Sequence, residues 1–261
     1  YDMYMECEAA ALAKEQGRFR PTPSRAFILG NYFHTAFESE EAHAEFCEKN
    51  ARELYTLSSL KPGKEPQKRT DVEQMDRMID VVMKDELMRR FVEMPGENEA
   101  IMTGHIFSMP WRIRMDKLCV CAGLIIDYKT CANIWETTYD PRQQRRVTFV
   151  ELYGYTRRAA IYREIYKQNR GEYPSFLLLC VSKQDPPDKE AVLVSNEQTL
   201  QYELSLVKER LPRIQRIRDR SIKPIRCGTC EYCRSTKQCK NIKTHFELDP
   251  EFRQREEEYD E

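Results

Sequence analysis

No stretch of this 261-residue chain approaches the roughly 20 consecutive apolar residues that a membrane-spanning helix requires. The opening Tyr1-Asp-Met-Tyr-Met-Glu6 has no basic stretch followed by an apolar one, so it does not read as a signal peptide. Internal repeats are missing, and there are only 4 histidines. Net charge is almost absent too, at −1, which by itself argues against non-specific attraction to nucleic acid. What remains is a soluble, globular and rather polar balance, with 33% charged and 41% hydrophobic residues. At this length the chain can build one sizeable core, or one core with a small appendage.

The charge that is present is unevenly placed. From Ser205 to Lys243 there are 12 Lys/Arg against 3 Asp/Glu, whereas from Phe246 to Glu261 there are 2 against 8. Two readings follow. In one, Arg213, Arg216 and Arg220 track DNA phosphates beside a repelling acidic tail at 246–261. In the other, helix 197–220 carries a solvated arginine face. The 10 cysteines, without a secretory signal, point to the reducing cytoplasm, where clustered thiols hold metal more often than they form disulfides.

Periodicity predicts an alanine-rich helix at 6–16, a second at 25–46 with Ile28, Tyr32, Ala36 and Phe37 on one face, and a third at 71–91 carrying Met75, Met78, Ile79 and Val82. A polar, Pro- and Gly-punctuated loop fills 57–70. Three strands are expected at 99–107, 111–119 and 123–129, then an irregular, partly basic connection at 135–146 and a helix at 149–169. A buried strand at 173–182 and another at 190–194 precede a long helix that opens at Ser195 and contains Pro212, which should kink it. Strands, a helix, then further strands describe a mixed α/β fold, a small mixed sheet flanked by helices.

Within that order, the run Leu124-Ile-Ile-Asp127-Tyr-Lys129-Thr130 reads as a buried strand whose end emerges into a site. Side chains two apart on a strand share a face, so Asp127 and Lys129 project together, and Asp116 on the preceding strand can converge with them. Two carboxylates about 4 Å apart repel by roughly 4 kcal/mol at an effective dielectric near 20. A divalent cation removes that penalty, and the lysine adds a fixed positive charge beside a scissile phosphate. Taken alone, Asp-x-Lys at a strand end is most often a solvated pair; order and context raise its significance.

The order of a glutamate-bearing segment, an isolated Asp, an apolar run, Asp-x-Lys-Thr and a long helix resembles the PD-(D/E)XK nuclease superfamily. The resemblance is to phage-type exonucleases similar to exodeoxyribonuclease VIII and to RecB-type nuclease domains, and it extends from about Met5 to Lys243. It implies a restriction-endonuclease-like core and one nuclease-like domain over 1–245, with N-terminal helices at 1–95, a core at 96–195 and a C-terminal helix and cysteine knuckle at 196–245. It also implies a metal-dependent DNA exonuclease of phage or prophage recombination or end processing, using Mg²⁺ or Mn²⁺ held by Asp116 and Asp127. Lys129 would orient or activate the attacking water, with Glu99 near the site. Gly30 to His34 matches the Gly-x-x-x-His spacing of RecB-type nucleases, and the resemblance implies that His34 is a metal ligand beside the dominant carboxylates. On the helix after Lys129 the superfamily places a Gln and a Tyr four residues later; here Arg158 stands where Gln is expected and Tyr162 follows, and both are expected to contact DNA. The partners implied are linear duplex ends, a single-strand annealing protein and further copies of the chain. The competing reading is a non-catalytic nucleic-acid- or protein-binding module that keeps the fold, which Arg158 and the near-neutral net charge favour.

The run Cys227-Gly-Thr-Cys230-Glu-Tyr-Cys233 and on to Cys239 is too polar between its thiols for a core segment, so it needs a cross-link to stay folded. Spacing allows all four cysteines to hold Zn²⁺. Resemblance to iron–sulfur nucleases of the AddB type implies instead that Cys7 joins Cys230, Cys233 and Cys239 around a [4Fe–4S] cluster. Cys119, Cys121 and Cys180 are expected to be buried small hydrophobes.

Overall fold

A computed structural model describes residues 1–140, 143–239, 242 and 244–248. Seven helices precede the strands: α1 (Asp2–Glu6), α2 (Glu8–Glu15), α3 (Arg25–Thr35), α4 (Glu40–Lys49), α5 (Ala51–Leu54), α6 (Thr70–Lys84) and α7 (Glu86–Glu93). The strands are β1 (Glu97–Ile106), β2 (Met109–Cys119), β3 (Leu124–Cys131), β4 (Thr137–Asp140), β5 (Arg145–Thr148), β6 (Ser175–Ser182) and β7 (Lys189–Leu193). Helices α8 (Phe149–Leu152) and α9 (Tyr155–Arg170) lie between β5 and β6, and α10 (Glu197–Arg218) and α11 (Glu231–Ser235) follow β7. None of the described helices is long and apolar enough to cross a membrane. Two compact units emerge, one of Tyr1–Thr22 with Arg213–Glu261, the other of Pro23–Pro212.

The larger unit is built on a five-stranded sheet of order β1-β2-β3-β6-β7. Its neighbours are antiparallel except for β3 and β6, which run parallel, as the crossover through α9 requires. Alternation along β3 sends Leu124, Ile126 and Tyr128 into a core shared with Leu29, Tyr32 and Phe33 of α3 and with Val72, Met75 and Met78 of α6. The alternate residue Asp127 meets α9 on the other side, through Arg158. Helix α3 is fixed by Tyr32, whose hydroxyl donates to Asp76 at 2.6 Å, and by Arg25, paired with Asp71 at 2.6 Å.

The structure divides three helices that periodicity alone runs together. Ser39 caps α4 by accepting from the Ala42 amide at 3.0 Å, and Asp85 caps α7 by accepting from the Met88 amide at 3.0 Å. Local side-chain acceptors thus restart a helix where the apolar period continues. Gly154, at φ +68°, separates α8 from α9. The connection at 135–146 is more regular than expected: β4 and β5 form an antiparallel hairpin. The acidic tail expected at 246–261 falls outside the described residues from 249 onward. Gly96 lies directly before β1, where an added Cβ would sit 2.7 Å from the Leu118 carbonyl oxygen and 3.0 Å from Cys119 Sγ. Because a backbone atom of a paired strand cannot give way cheaply, Gly96→Ala is expected to destabilise the fold by about 1–3 kcal/mol, measured as a lowered urea midpoint at unchanged slope.

In the smaller unit, Cys7, Ala9, Ala10 and Cys233 form a compact apolar cluster with Phe19, Cys230 and Tyr232 against it. Glu8 binds Arg213 at 2.6 Å and accepts from the Ile225 amide at 2.7 Å. Glu15 takes both the Tyr4 hydroxyl, at 2.8 Å, and Arg218.

Candidate active site

Strand register sets three carboxylates in a row. Asn98 pairs with Lys117 and Ala100 with Met115, which places Glu99 opposite Asp116 across β1 and β2. Lys117 pairs with Ile126, so the next step of that register sets Asp116 opposite Asp127, and the ladder stops there. Like charges directly opposite one another destabilise a sheet. The interruption of both ladders at these residues, together with the left-handed φ of +54° at Glu99, marks where the sheet opens.

Asp127 is 1% exposed and Lys129 7%, so neither charge could be tolerated unpaired. The Lys129 ammonium lies 2.6 Å from Asp127 Oδ2 and 3.6 Å from Asp116 Oδ2, and it donates to the Tyr128 carbonyl at 2.8 Å. Arg158 approaches the other oxygen of Asp127 at 3.2 Å. Asp116 Oδ2 accepts from the Tyr128 amide at 2.9 Å and lies 3.1 Å from His34 Nδ1. Burial alone would raise the Asp116 carboxyl, but Lys129, His34 and the Tyr128 amide outweigh it and hold the group well below the ordinary carboxylate range. Glu99 behaves oppositely: burial, with Asp116 and Glu38 nearby, raises it despite Arg114 at 2.8 Å. Burial is also the main cause that lifts the Tyr162 hydroxyl to about 12, and that hydroxyl donates to the Arg114 carbonyl at 2.8 Å.

Asp116, Asp127, Lys129, His34 and Arg158 therefore meet in one ion-paired site, with Glu99 in register beside them and Tyr162 on the same helix as Arg158. Reading the sequence missed Tyr155, whose ring lies 5.5 Å from the Lys129 ammonium and 5.7 Å from the Arg158 guanidinium. The signal was available, since Tyr155, Arg158 and Tyr162 recur at the three- and four-residue spacing of one helix face. Also missed was Arg114, whose exposed side chain pairs with Glu99. Asp127 Oδ2 is buried without a well-aligned hydrogen bond; its 2.6 Å neighbour Lys129 makes a Coulombic contact rather than a directed one. The carboxylate oxygens of Asp116 and Asp127 are hard donors of the kind that could hold a divalent cation.

The thiols form a second constellation, in the smaller unit. The Sγ atoms of Cys7, Cys227, Cys230 and Cys233 all lie within 4.8 Å of one another, with Cys7 and Cys233 3.6 Å apart. Cys239 is exposed and lies outside this group, so neither expected ligand set is the one assembled. The reason is local. Gly228, at φ +79°, turns the chain so that the Cys230 amide meets Cys227 Sγ at 3.3 Å, whereas Cys239 follows α11 without regular structure. Amides of Cys230 and Thr229 lower the Cys227 thiol to about 6, and burial raises that of Cys230 to about 12. Four sulfurs at this spacing suit a soft metal ion or an iron–sulfur cluster. Cys119 and Cys180 are buried as expected, but Cys121 is exposed, because it falls in the turn after β2. Of the arginines expected to face DNA, Arg213 is tied to Glu8, while Arg216 and Arg220 are exposed.

Residues 1–236 match the profile of a family described as a PDDEXK-like domain of unknown function (DUF3799). Among solved structures, the chain is similar to a protein from Eubacterium rectale described as a "Putative exonuclease". The two are 28% identical over 94% of this chain and 86% of that one, with a TM-score of 0.83. A further solved structure, described as SSO0001, is 12% identical over 89% of this chain and 94% of that one; at a TM-score of 0.32 it carries no argument. No curated protein matches the chain.

Proposed function

Because this chain belongs to the PDDEXK-like family DUF3799, we propose that it is a metal-dependent DNA exonuclease of phage or prophage recombination or end processing. The observation that carries the proposal is the buried Lys129 ammonium held 2.6 Å from Asp127 and 3.6 Å from Asp116, in line with Glu99 across three strands. Asp116 and Asp127, supported by Glu99 and His34, would hold Mg²⁺ or Mn²⁺, which when bound polarises a phosphoryl oxygen and supplies an activated water. Lys129 fixes a positive charge where a phosphate oxygen gains negative charge, without reorganising during the reaction. Arg158 holds Asp127 in place and presents a guanidinium fork that suits a phosphate. The Tyr155 ring lies against both cations, 5.5 Å from Lys129 and 5.7 Å from Arg158. Specificity would come from backbone contacts and strand ends rather than base edges. The E. rectale protein's description supports exonuclease chemistry. One nuclease-like domain over 1–245, cytoplasmic location, assembly into oligomers and a single-strand annealing partner belong to the same proposal, as does a soft metal or iron–sulfur cluster on Cys7, Cys227, Cys230 and Cys233.

One observation favours the second reading, a non-catalytic binding module: Asp127 is already flanked by two cations, Lys129 and Arg158, which together neutralise the carboxylate pair. Linear duplex, circular duplex and single-stranded DNA, each incubated with protein and Mg²⁺, separate the readings. Progressive loss of linear duplex with circular duplex intact is the expected result, and a chelator should stop it. Cutting of circular duplex would make the protein an endonuclease. Binding without cleavage of any substrate would leave the module.

A further inference from the structure

We propose a nucleic-acid-binding basin in the smaller unit, built from none of the residues of the candidate active site, in which Arg18, Arg220, Lys223 and Arg226 hold the phosphodiester backbone. These four cations line one cavity of about 650 Å³, together with Leu12 and Tyr232 among others, and no Asp or Glu lines it. All four are exposed. Among the described residues, none of them pairs with a carboxylate, in contrast to Arg213 and Arg218, which Glu8 and Glu15 neutralise. Arg18 donates to the side-chain oxygen of Gln16 at 2.9 Å, and Arg226 to the Cys233 carbonyl at 3.2 Å, so both guanidiniums keep their full charge.

Cations are favoured at helix C-termini, and Arg18 and Arg220 follow the ends of α2 and α10. The helix ends leave Lys223 and Arg226 unexplained. Arg220 sits at φ +61°, the left-handed conformation that glycine ordinarily supplies just beyond a helix. That conformation belongs to the C-cap of α10, in which the Ser221 amide donates to the Arg216 carbonyl at 2.8 Å and the Arg220 amide to that of Ile217 at 3.1 Å, and it sets Arg220 at the cavity with Arg18, Lys223 and Arg226. Arg226 lies 5.3 Å over the Tyr232 ring and bonds the backbone of Cys233, so the cysteine cluster sets one wall of the basin. Four cations spread around one cavity suit successive phosphates of a strand better than one small anion. The identity of that polyanion rests on the nuclease reading.

The test is binding of a labelled duplex oligonucleotide to the full chain, without added divalent ion, at several salt concentrations. Arg220→Gly relieves the left-handed backbone while removing the charge. It should fold with equal or higher melting temperature yet bind more weakly, by about fivefold, and Arg220→Lys should restore affinity. Arg220→Gln with Lys223→Gln should weaken binding at least tenfold and flatten the salt dependence by about 0.9 log unit per lost contact on duplex DNA. Wild-type affinity and salt slope in the double variant would overturn the basin. So would tight binding of inorganic pyrophosphate that the substitutions abolish while oligonucleotide binding persists. A wild-type protein that cuts no DNA but loses oligonucleotide binding in these variants would overturn the nuclease reading and leave the basin standing.

Discussion

Asp127→Asn is expected to lower cleavage of linear duplex in Mg²⁺ by about a thousandfold or more, equivalent to roughly 4 kcal/mol of transition-state stabilisation. The carboxylate is 1% exposed and lies between Lys129 at 2.6 Å and Arg158 at 3.2 Å. Asparagine keeps the shape but removes the charge that a cation needs and that orients both basic side chains. It also leaves two cations facing an uncharged amide, at a cost of about 3–5 kcal/mol for a broken buried pair. Thermal melting must therefore accompany the kinetics. Should the variant fail to fold, Lys129→Met in an Asp127→Asn background removes one of the stranded charges and tests the same chemistry in a folded chain. Single-turnover rates equal to wild type in either folded variant would contradict the assignment of Asp127. Arg158→Gln restores the residue expected at that helix position from the superfamily resemblance. Losing one of the two cations that neutralise the carboxylates, it should bind Mn²⁺ more tightly than wild type.

Cys7→Ser and Cys233→Ser are each expected to abolish metal binding in the smaller unit, whereas Cys239→Ser should leave it intact. The four assembled sulfurs lie within 4.8 Å of one another, and Cys239 is not among them. Structural zinc contributes apparent binding energies of roughly 10–16 kcal/mol in zinc-finger peptides at neutral pH. Even a fraction of that exceeds what the small apolar cluster of Cys7, Ala9, Ala10 and Cys233 offers, so loss of the ion should unfold this unit well below the wild-type melting temperature. Protein purified without oxygen decides between the ions. A brown preparation with charge-transfer absorption that fades in Cys7→Ser means an iron–sulfur cluster; a colourless one with one zinc per chain means a zinc site. Metal lost in Cys239→Ser but kept in Cys7→Ser would overturn the ligand set, and metal-free anaerobic protein would overturn the site.

Much of the fold is local information. The apolar run before Asp127, the two-residue step to Lys129 and the helical spacing of Met75, Met78 and Val82 each report a period, and a period fixes which face of an element is buried. The strands and the Asp116, Asp127 and Lys129 constellation were legible for that reason. Helix breaks at Ser39 and Asp85 were not, because capping depends on one side-chain oxygen meeting one amide while the apolar rhythm continues past it. The hairpin of β4 and β5 was hidden by its polar, basic composition.

What only tertiary structure decided is pairing across long stretches of chain. Cys7 meets Cys233 at a sequence separation of 226, and no spacing rule could show that Cys227 would complete the group while Cys239 stayed outside. Likewise, the arginine count after Ser205 could not show that Glu8 and Glu15 neutralise Arg213 and Arg218 while Arg18, Arg220, Lys223 and Arg226 line one cavity and meet no carboxylate among the described residues. Charge along a sequence is a sum, whereas charge available to a ligand depends on which partners the fold brings within a few ångströms, and Coulomb energy falls off with that distance.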